Sequence, residues 1–139
     1  MDRTSFNSKP SQLEGSLSGI NVLDFGHYYP GPMAAMMLAD QGANVIRVVK
    51  PGDLELPSQQ YRLLNRNKKL LTLDLKSVEG KAQALSLIER ADVVIENFRP
   101  CVMHRMGLDY ASVKAQGRSR HWIRPFLNAQ SGPGPVLPC

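Results

Sequence analysis

Gly19-Ile-Asn-Val-Leu-Asp-Phe-Gly-His-Tyr-Tyr-Pro-Gly-Pro-Met-Ala-Ala-Met-Met-Leu-Ala-Asp-Gln-Gly-Ala-Asn-Val-Ile-Arg-Val-Val-Lys-Pro51 reads in order as strand, sharp turn, helix and strand. Ile20, Val22, Leu23 and Phe25 make a short apolar run between glycines, as a buried strand does. Pro30-Gly31-Pro32 breaks that run, and Pro32 suits the first turn of a helix, where no amide hydrogen is needed. Met33, Met36 and Met37 recur with alanine and leucine at helical spacing, as a packed face does, and Gly42 fits the C-terminal cap. Val45, Ile46, Val48 and Val49 then supply a second strand, closed by Lys50-Pro51. The loop leaving the first strand of such a unit is where open α/β sheets hold ligands.

Working outward, Gly52 to Asn67 is loop-like, with a helical turn at Tyr61 to Leu64. Leu70 to Leu75 predicts a third strand. Ser77 is a natural helix N-cap, but Gly80 stands where a capping box would place Glu. Ala82, Leu85 and Ile88, flanked by Ala84 and Leu87, give that helix an apolar face. Asp92 to Glu96 reads as a strand, Val102 to Met106 as a short helix stopped by Gly107, and Tyr110 to about Gln116 as a last helix. Strands alternating with helices predict an α/β fold, with a parallel or mostly parallel sheet covered by helices. Residues 1–18 read as a flexible leader, 19–116 as the domain, and 117–139 as an irregular, disordered tail rich in proline.

A chain of 139 residues suffices for one domain with a core. No apolar run approaches bilayer-spanning length and no secretory core stands near Met1, so a cytoplasmic location without membrane contact is expected. Cys101 and Cys139 read as two free thiols. The net charge of +5 raises nucleic acid as a partner. Arg118, Arg120 and Arg124 fall in the tail, however. Arg62, Arg66, Lys68 and Lys69 share one loop with few aromatics, which a small phosphorylated ligand explains as well. No nucleic-acid partner is expected.

The chemistry-bearing residues gather where strands end: His27, Tyr28 and Tyr29 after the first, Lys50 after the second, Lys76 after the third, and Asn97, Phe98 and Arg99 after the fourth. In an open parallel sheet these ends converge on one crevice. Lys50, Lys76, Arg105 and the amides opening the Pro32 helix would attract phosphates, and Tyr28, Tyr29 and Phe98 offer flat surfaces to a purine. Simpler roles stand beside these: a hydrogen-bonded surface imidazole for His27, solvated lysines, and local hydrogen bonding for Asp24 and Asp40. There is no Walker loop, GxGxxG, paired metal-ligand motif or serine elbow. The residues by themselves lead to a phosphate-bearing ligand.

Seven blocks in one order carry the reading further: Gly19-Ile-Asn-Val-Leu-Asp, Gly31-Pro32, Leu38-Ala-Asp-Gln-Gly-Ala-Asn-Val-Ile-Arg-Val, Asn65-Arg-Asn-Lys-Lys, Leu73-Asp-Leu-Lys, Ala91-Asp-Val-Val-Ile-Glu-Asn-Phe-Arg-Pro and Met106-Gly-Leu-Asp-Tyr. Over Gly19 to Gln116 the chain resembles the N-terminal part of the family III coenzyme A transferases, a group that also includes alpha-methylacyl-CoA racemase. The resemblance implies a Rossmann-like parallel sheet with flanking helices, coenzyme A as the bound thioester, no metal, and a homodimer in the full-length family. It implies an acyl-CoA:carboxylate CoA-transferase, acting on a CoA thioester and a carboxylic acid. By position it carries the CoA contacts onto Tyr28, Tyr29, Lys50, Leu73, Lys76, Asn97, Phe98 and Arg105, with Lys50 and Arg105 on phosphates, and sets His27 beside the acyl site.

Such transferases attack the thioester with an aspartate carboxylate. That aspartate lies beyond the matched blocks, and the sequence has no Asp or Glu after Asp109. The expectation is therefore a truncated, inactive N-terminal piece with no catalytic residue of its own, arising from a shifted frame near codon 116. The alternatives are a racemase-like fragment, which Pro30-Gly31-Pro32 resembles, or a non-catalytic CoA-binding remnant. Asn65-Arg66-Asn67-Lys68 is similar to the transferases.

Overall fold

A computed structural model describes residues 15–53, 58–115 and 121–123 of the chain. Strand β1 (Asn21–Asp24) hydrogen-bonds on both sides, to β2 (Asn44–Val49) and to β4 (Val93–Ile95). Beyond β2 lies β3 (Lys68–Thr72), and beyond β4 lies β5 (His121–Ile123). Every pairing is parallel, and the order is β3-β2-β1-β4-β5. This is the Rossmann-like sheet the resemblance implies. The chain steps outward from β1 to β3, then returns to β4 on the other side of β1. The loops after β1 and β4 therefore part at a topological switch point.

Neighbouring residues along the central strands serve opposite faces, as the strand period of two requires. Leu23, Ile46 and Val94 join Ala84, Leu87 and Ile88 of α3 (Val78–Arg90), with Met103 of α4 (Val102–Arg105) and Val113 of α5 (Tyr110–Lys114). Val22, Val45 and Ile95 meet Ala35 and Ala39 of α1 (Pro30–Asp40) on the other face. A six-residue helix, α2 (Gln59–Leu64), lies beside α1.

Several local expectations shift. Helix α1 begins at Pro30, which keeps Pro32 in its first turn as expected, and both prolines fall among the first orphan amides and remove none that was needed. Its end is a Schellman motif: the Gly42 amide (φ +95°) donates to the Ala39 carbonyl at 3.0 Å and the Ala43 amide to Leu38 at 3.1 Å. Met36 alone of its methionine stripe is buried; Met33 and Met37 are exposed. At α3, the Ser77 hydroxyl accepts from the Gly80 amide at 2.9 Å. A Cβ at position 80 would stand 2.0 Å from the Asp74 carbonyl oxygen, which is why the capping box has no Glu there.

The third strand runs from Lys68 to Thr72, ahead of the expected Leu70 to Leu75, and the Lys68 side chain that opens it is buried on Asp24. Past Gln116, in the segment expected to be irregular, His121–Ile123 form β5, with Trp122 packed on the α3 side of the sheet and its ring 6.0 Å from that of Tyr110. Residues 15–18 of the expected leader are in place, the Leu17 amide donating to the Gln41 carbonyl at 3.0 Å and its side chain packing on the α1-side core. Residues 1–14 and the rest of the tail lie outside the described residues. Cys101 is disulfide-bonded, which corrects the reading of two free thiols. Among the described residues, no helix is long and apolar enough to cross a membrane.

Candidate functional site

The end of β1 is anchored by its own last side chain. Asp24 is fully buried; its Oδ1 accepts from the Gly26 amide at 2.7 Å and its Oδ2 from Lys68 Nζ at 2.9 Å. Lys68 Nζ also donates to the Pro32 carbonyl at 2.8 Å, and its side chain is wholly buried. One ammonium thus ties the end of β1, the first turn of α1 and the start of β3. Burial pushes its pKa below the ordinary lysine range, Asp24 opposes that shift, and Arg47 adds to it. Lys68 is therefore an internal counter-ion, not a surface cation of the basic loop. Arg66, two residues earlier, pairs with Asp40 on the surface.

Across the switch point Asn97 bonds both polar groups of one peptide residue. The His27 amide donates to Asn97 Oδ1 at 2.6 Å, and Asn97 Nδ2 donates to the His27 carbonyl at 2.8 Å. The side-chain amide continues the pairing of β1 and β4 into the gap where the strands have ended. A Cβ on Gly31 would come within 2.8 Å of Gly26 Cα and 3.1 Å of Asn97 Oδ1, so glycine lets the start of α1 close on this clamp.

The clamp sets the rings. The His27 imidazole meets Phe98 edge-on, centroids 4.6 Å apart. Tyr28 takes a left-handed backbone (φ 57°) and is 84% exposed, and Tyr29 is 48% exposed at the N-cap of α1. Burial holds the His27 imidazole below its ordinary pKa; Asp53 and Asp24 oppose this, whereas Arg47 and Lys50 reinforce it. The His27 ring is thereby a neutral hydrogen-bonding group at neutral pH.

His27, Asn97 and Phe98 therefore meet at the switch point, with Tyr28 and Tyr29 next in the same loop, and Lys50 stands near enough for His27 to sense its charge. Lys50 is exposed, 3.5 Å from Asp53. Lys76 is exposed beyond the end of β3, and Arg105 is exposed on α4, with its Nε on the Cys101 carbonyl at 3.4 Å. The Leu73 side chain is 5% exposed and belongs to the core. Asn97 spends both side-chain groups on His27.

Sequence reading missed Arg47, which is 7% exposed within β2. Its signal was present: one charged residue in Val-Ile-Arg-Val-Val, where a central parallel strand is buried on both faces. His104, Asp109 and Ser112 also cluster, but both His104 and Ser112 contact the aspartate and not each other, so no nucleophile relay exists. Among the described residues no three His, Cys, Asp or Glu side chains could hold a metal ion.

Comparison with known proteins agrees with this geometry. The sequence profile of CoA-transferase family III matches residues 17–118. The CoA-transferase/lyase DddD of Marinomonas sp. is 43% identical over 127 residues, covering 91% of this chain and 14% of that protein. The formyl-CoA:oxalate CoA-transferase of Afipia carboxidovorans is 35% identical, covering 89% and 31%. Rv3272 of Mycobacterium tuberculosis superposes with TM-score 0.70 at 36% identity, covering 84% of this chain and 32% of its own. A CAIB/BAIF family protein of Brucella suis gives TM-score 0.73 at 30% identity, covering 79% and 33%. The chain thus spans about a third or less of these relatives. A match over most of its length, on a sheet of the same kind, places the chain in CoA-transferase family III.

Proposed function

We propose that the chain binds a coenzyme A thioester at the switch point and serves the transfer of CoA to a carboxylic acid. One observation supports this: Asn97 pins the β1 loop, bringing His27 against Phe98 with Tyr28 and Tyr29 beside them, in a chain of this family. Tyr28 and Tyr29 supply faces for the adenine, and Lys50, Lys76 and Arg105 supply charge for the phosphates. Phe98 packs His27 beside the acyl end. Asn97 acts through the loop it holds. No described carboxylate is assigned as nucleophile: Asp24 is spent on Gly26 and Lys68, and Glu96 accepts from the Phe98 amide at 2.9 Å.

Calorimetry with CoA, followed by incubation with formyl-CoA and oxalate while the thioesters are resolved by mass, tests the reading. Saturable binding that weakens about tenfold in Tyr28→Ala supports the crevice. Binding without transfer makes the chain a CoA-binding remnant. Absence of CoA binding by the folded chain overturns the proposal.

A further inference from the structure

Arg47 stands in register with Asp24 on one side and Leu70 on the other, on the α1 face of the sheet. Its Nη1 donates to Asn65 Oδ1 at 2.5 Å, and its guanidinium carbon lies 5.5 Å from the centre of the Tyr61 ring. Nη1 is the nitrogen on the Cδ side of the group. The opposite edge, Nε with Nη2, is therefore left as the two-pronged fork that arginine offers to carboxylates and phosphates.

That fork has no carboxylate. Among the described residues no Asp or Glu forms an ion pair with Arg47, and its buried Nε has no hydrogen-bond partner. The Tyr61 hydroxyl and Asn65 Nδ2 are buried and unpartnered as well. Tyr61 lies on α2 and Asn65 at its C-cap, one helical turn apart and thus on one side of the helix. Both side chains contact the guanidinium. Three unpartnered polar atoms on one guanidinium and the two side chains that touch it are a cluster, not a scatter of single defects. The charges agree: among the described residues Asp24 is the one buried carboxylate on this face, Lys68 uses it, and none is paired with Arg47.

We propose that Arg47, Tyr61 and Asn65 form a receptor for a small monocarboxylate. Nε and Nη2 donate to its two oxygens, and the Tyr61 hydroxyl and Asn65 Nδ2 donate to the remaining lone pairs. A planar monoanion matches both the planar fork and the single surplus charge. His27 senses the Arg47 charge, so the receptor lies within electrostatic reach of the crevice. Equating this carboxylate with the acid that accepts CoA rests on the transferase reading; carboxylate binding itself does not.

The test is NMR of the arginine Nε–Hε signals in the full chain, titrated with formate and, at matched ionic strength, with chloride. The expected result is a saturable shift of the Arg47 signal with formate alone, absent when Arg47→Met removes the group. In Tyr61→Phe, which keeps the ring, affinity falls about tenfold. A shift that never saturates, that chloride reproduces, or that Tyr61→Phe leaves unchanged overturns the proposal. CoA titrated in parallel separates the two readings. Formate binding without CoA binding removes the transferase reading and keeps this site, whereas CoA binding without formate binding removes this site alone.

Discussion

Two buried polar clusters share the α1 face of the sheet, and they differ in how completely they are satisfied. In the first, Asp24 and Lys68 hold each other, and their remaining groups reach the Gly26 amide and the Pro32 carbonyl. In the second, Arg47, Tyr61 and Asn65 share one hydrogen bond and leave three atoms without partners. Buried ion pairs repay their desolvation only when every lone pair and proton is used. The first cluster gives each of its buried polar atoms a partner and serves the fold. The second does not, and a group kept at a cost to stability is a candidate for binding.

The largest effect that would break this contrast is in the closed cluster. Lys68→Met strands the Asp24 carboxylate in the core and should destabilise the chain by about 3–5 kcal/mol. Adding Asp24→Asn should recover part of that loss, as a double-mutant cycle by urea unfolding would show. A Lys68→Met cost under about 1 kcal/mol would mean the pair is not closed. Asn97→Leu comes next. It frees the His27 amide and carbonyl together, for a loss of about 2 kcal/mol, and should weaken CoA binding by loosening the loop that carries Tyr28. Arg47→Met carries the opposite sign: stability unchanged or raised by about 1 kcal/mol, formate binding gone. A loss as large as that of Lys68→Met would place Arg47 with the structural pair.

How much of this was legible depends on whether a residue's role is local. The strand–helix–strand stretch, the Ser77 cap and the Gly42 terminus were readable because spacing and backbone conformation decide them within a few residues. The meeting of His27 with Asn97 and Phe98 was readable because parallel strands deliver their ends to one edge. Long-range partnerships were not. Lys68 read as one of four loop cations until Asp24, 44 positions earlier, proved to be its partner. Leu73 came to the site only through the resemblance; the strand ends at Thr72, and the Leu73 side chain turns into the core. Strand β5 escaped because three residues between arginines show no period, and only Trp122 faces the core cluster.

The smallest effect is also the one that joins the two clusters to the crevice. Burial, with Arg47 and Lys50, holds the His27 pKa below its ordinary 6.5 against the pull of Asp53 and Asp24. The unfolded chain then binds more protons than the folded chain between the folded pKa and about 6.5. Stability must therefore rise with pH through that window and fall on acidification across it. Urea unfolding at about pH 5.5 and about pH 7.5 should show this slope, and His27→Gln should flatten it. Formate seated on Arg47 neutralises one of the cations His27 senses, so the imidazole should titrate at higher pH when formate is present. The ring Cε1–H shift, followed by NMR with and without formate, reads this directly. If formate binds and the His27 titration stays put, the carboxylate sits too far from the crevice to be the acid that takes up coenzyme A.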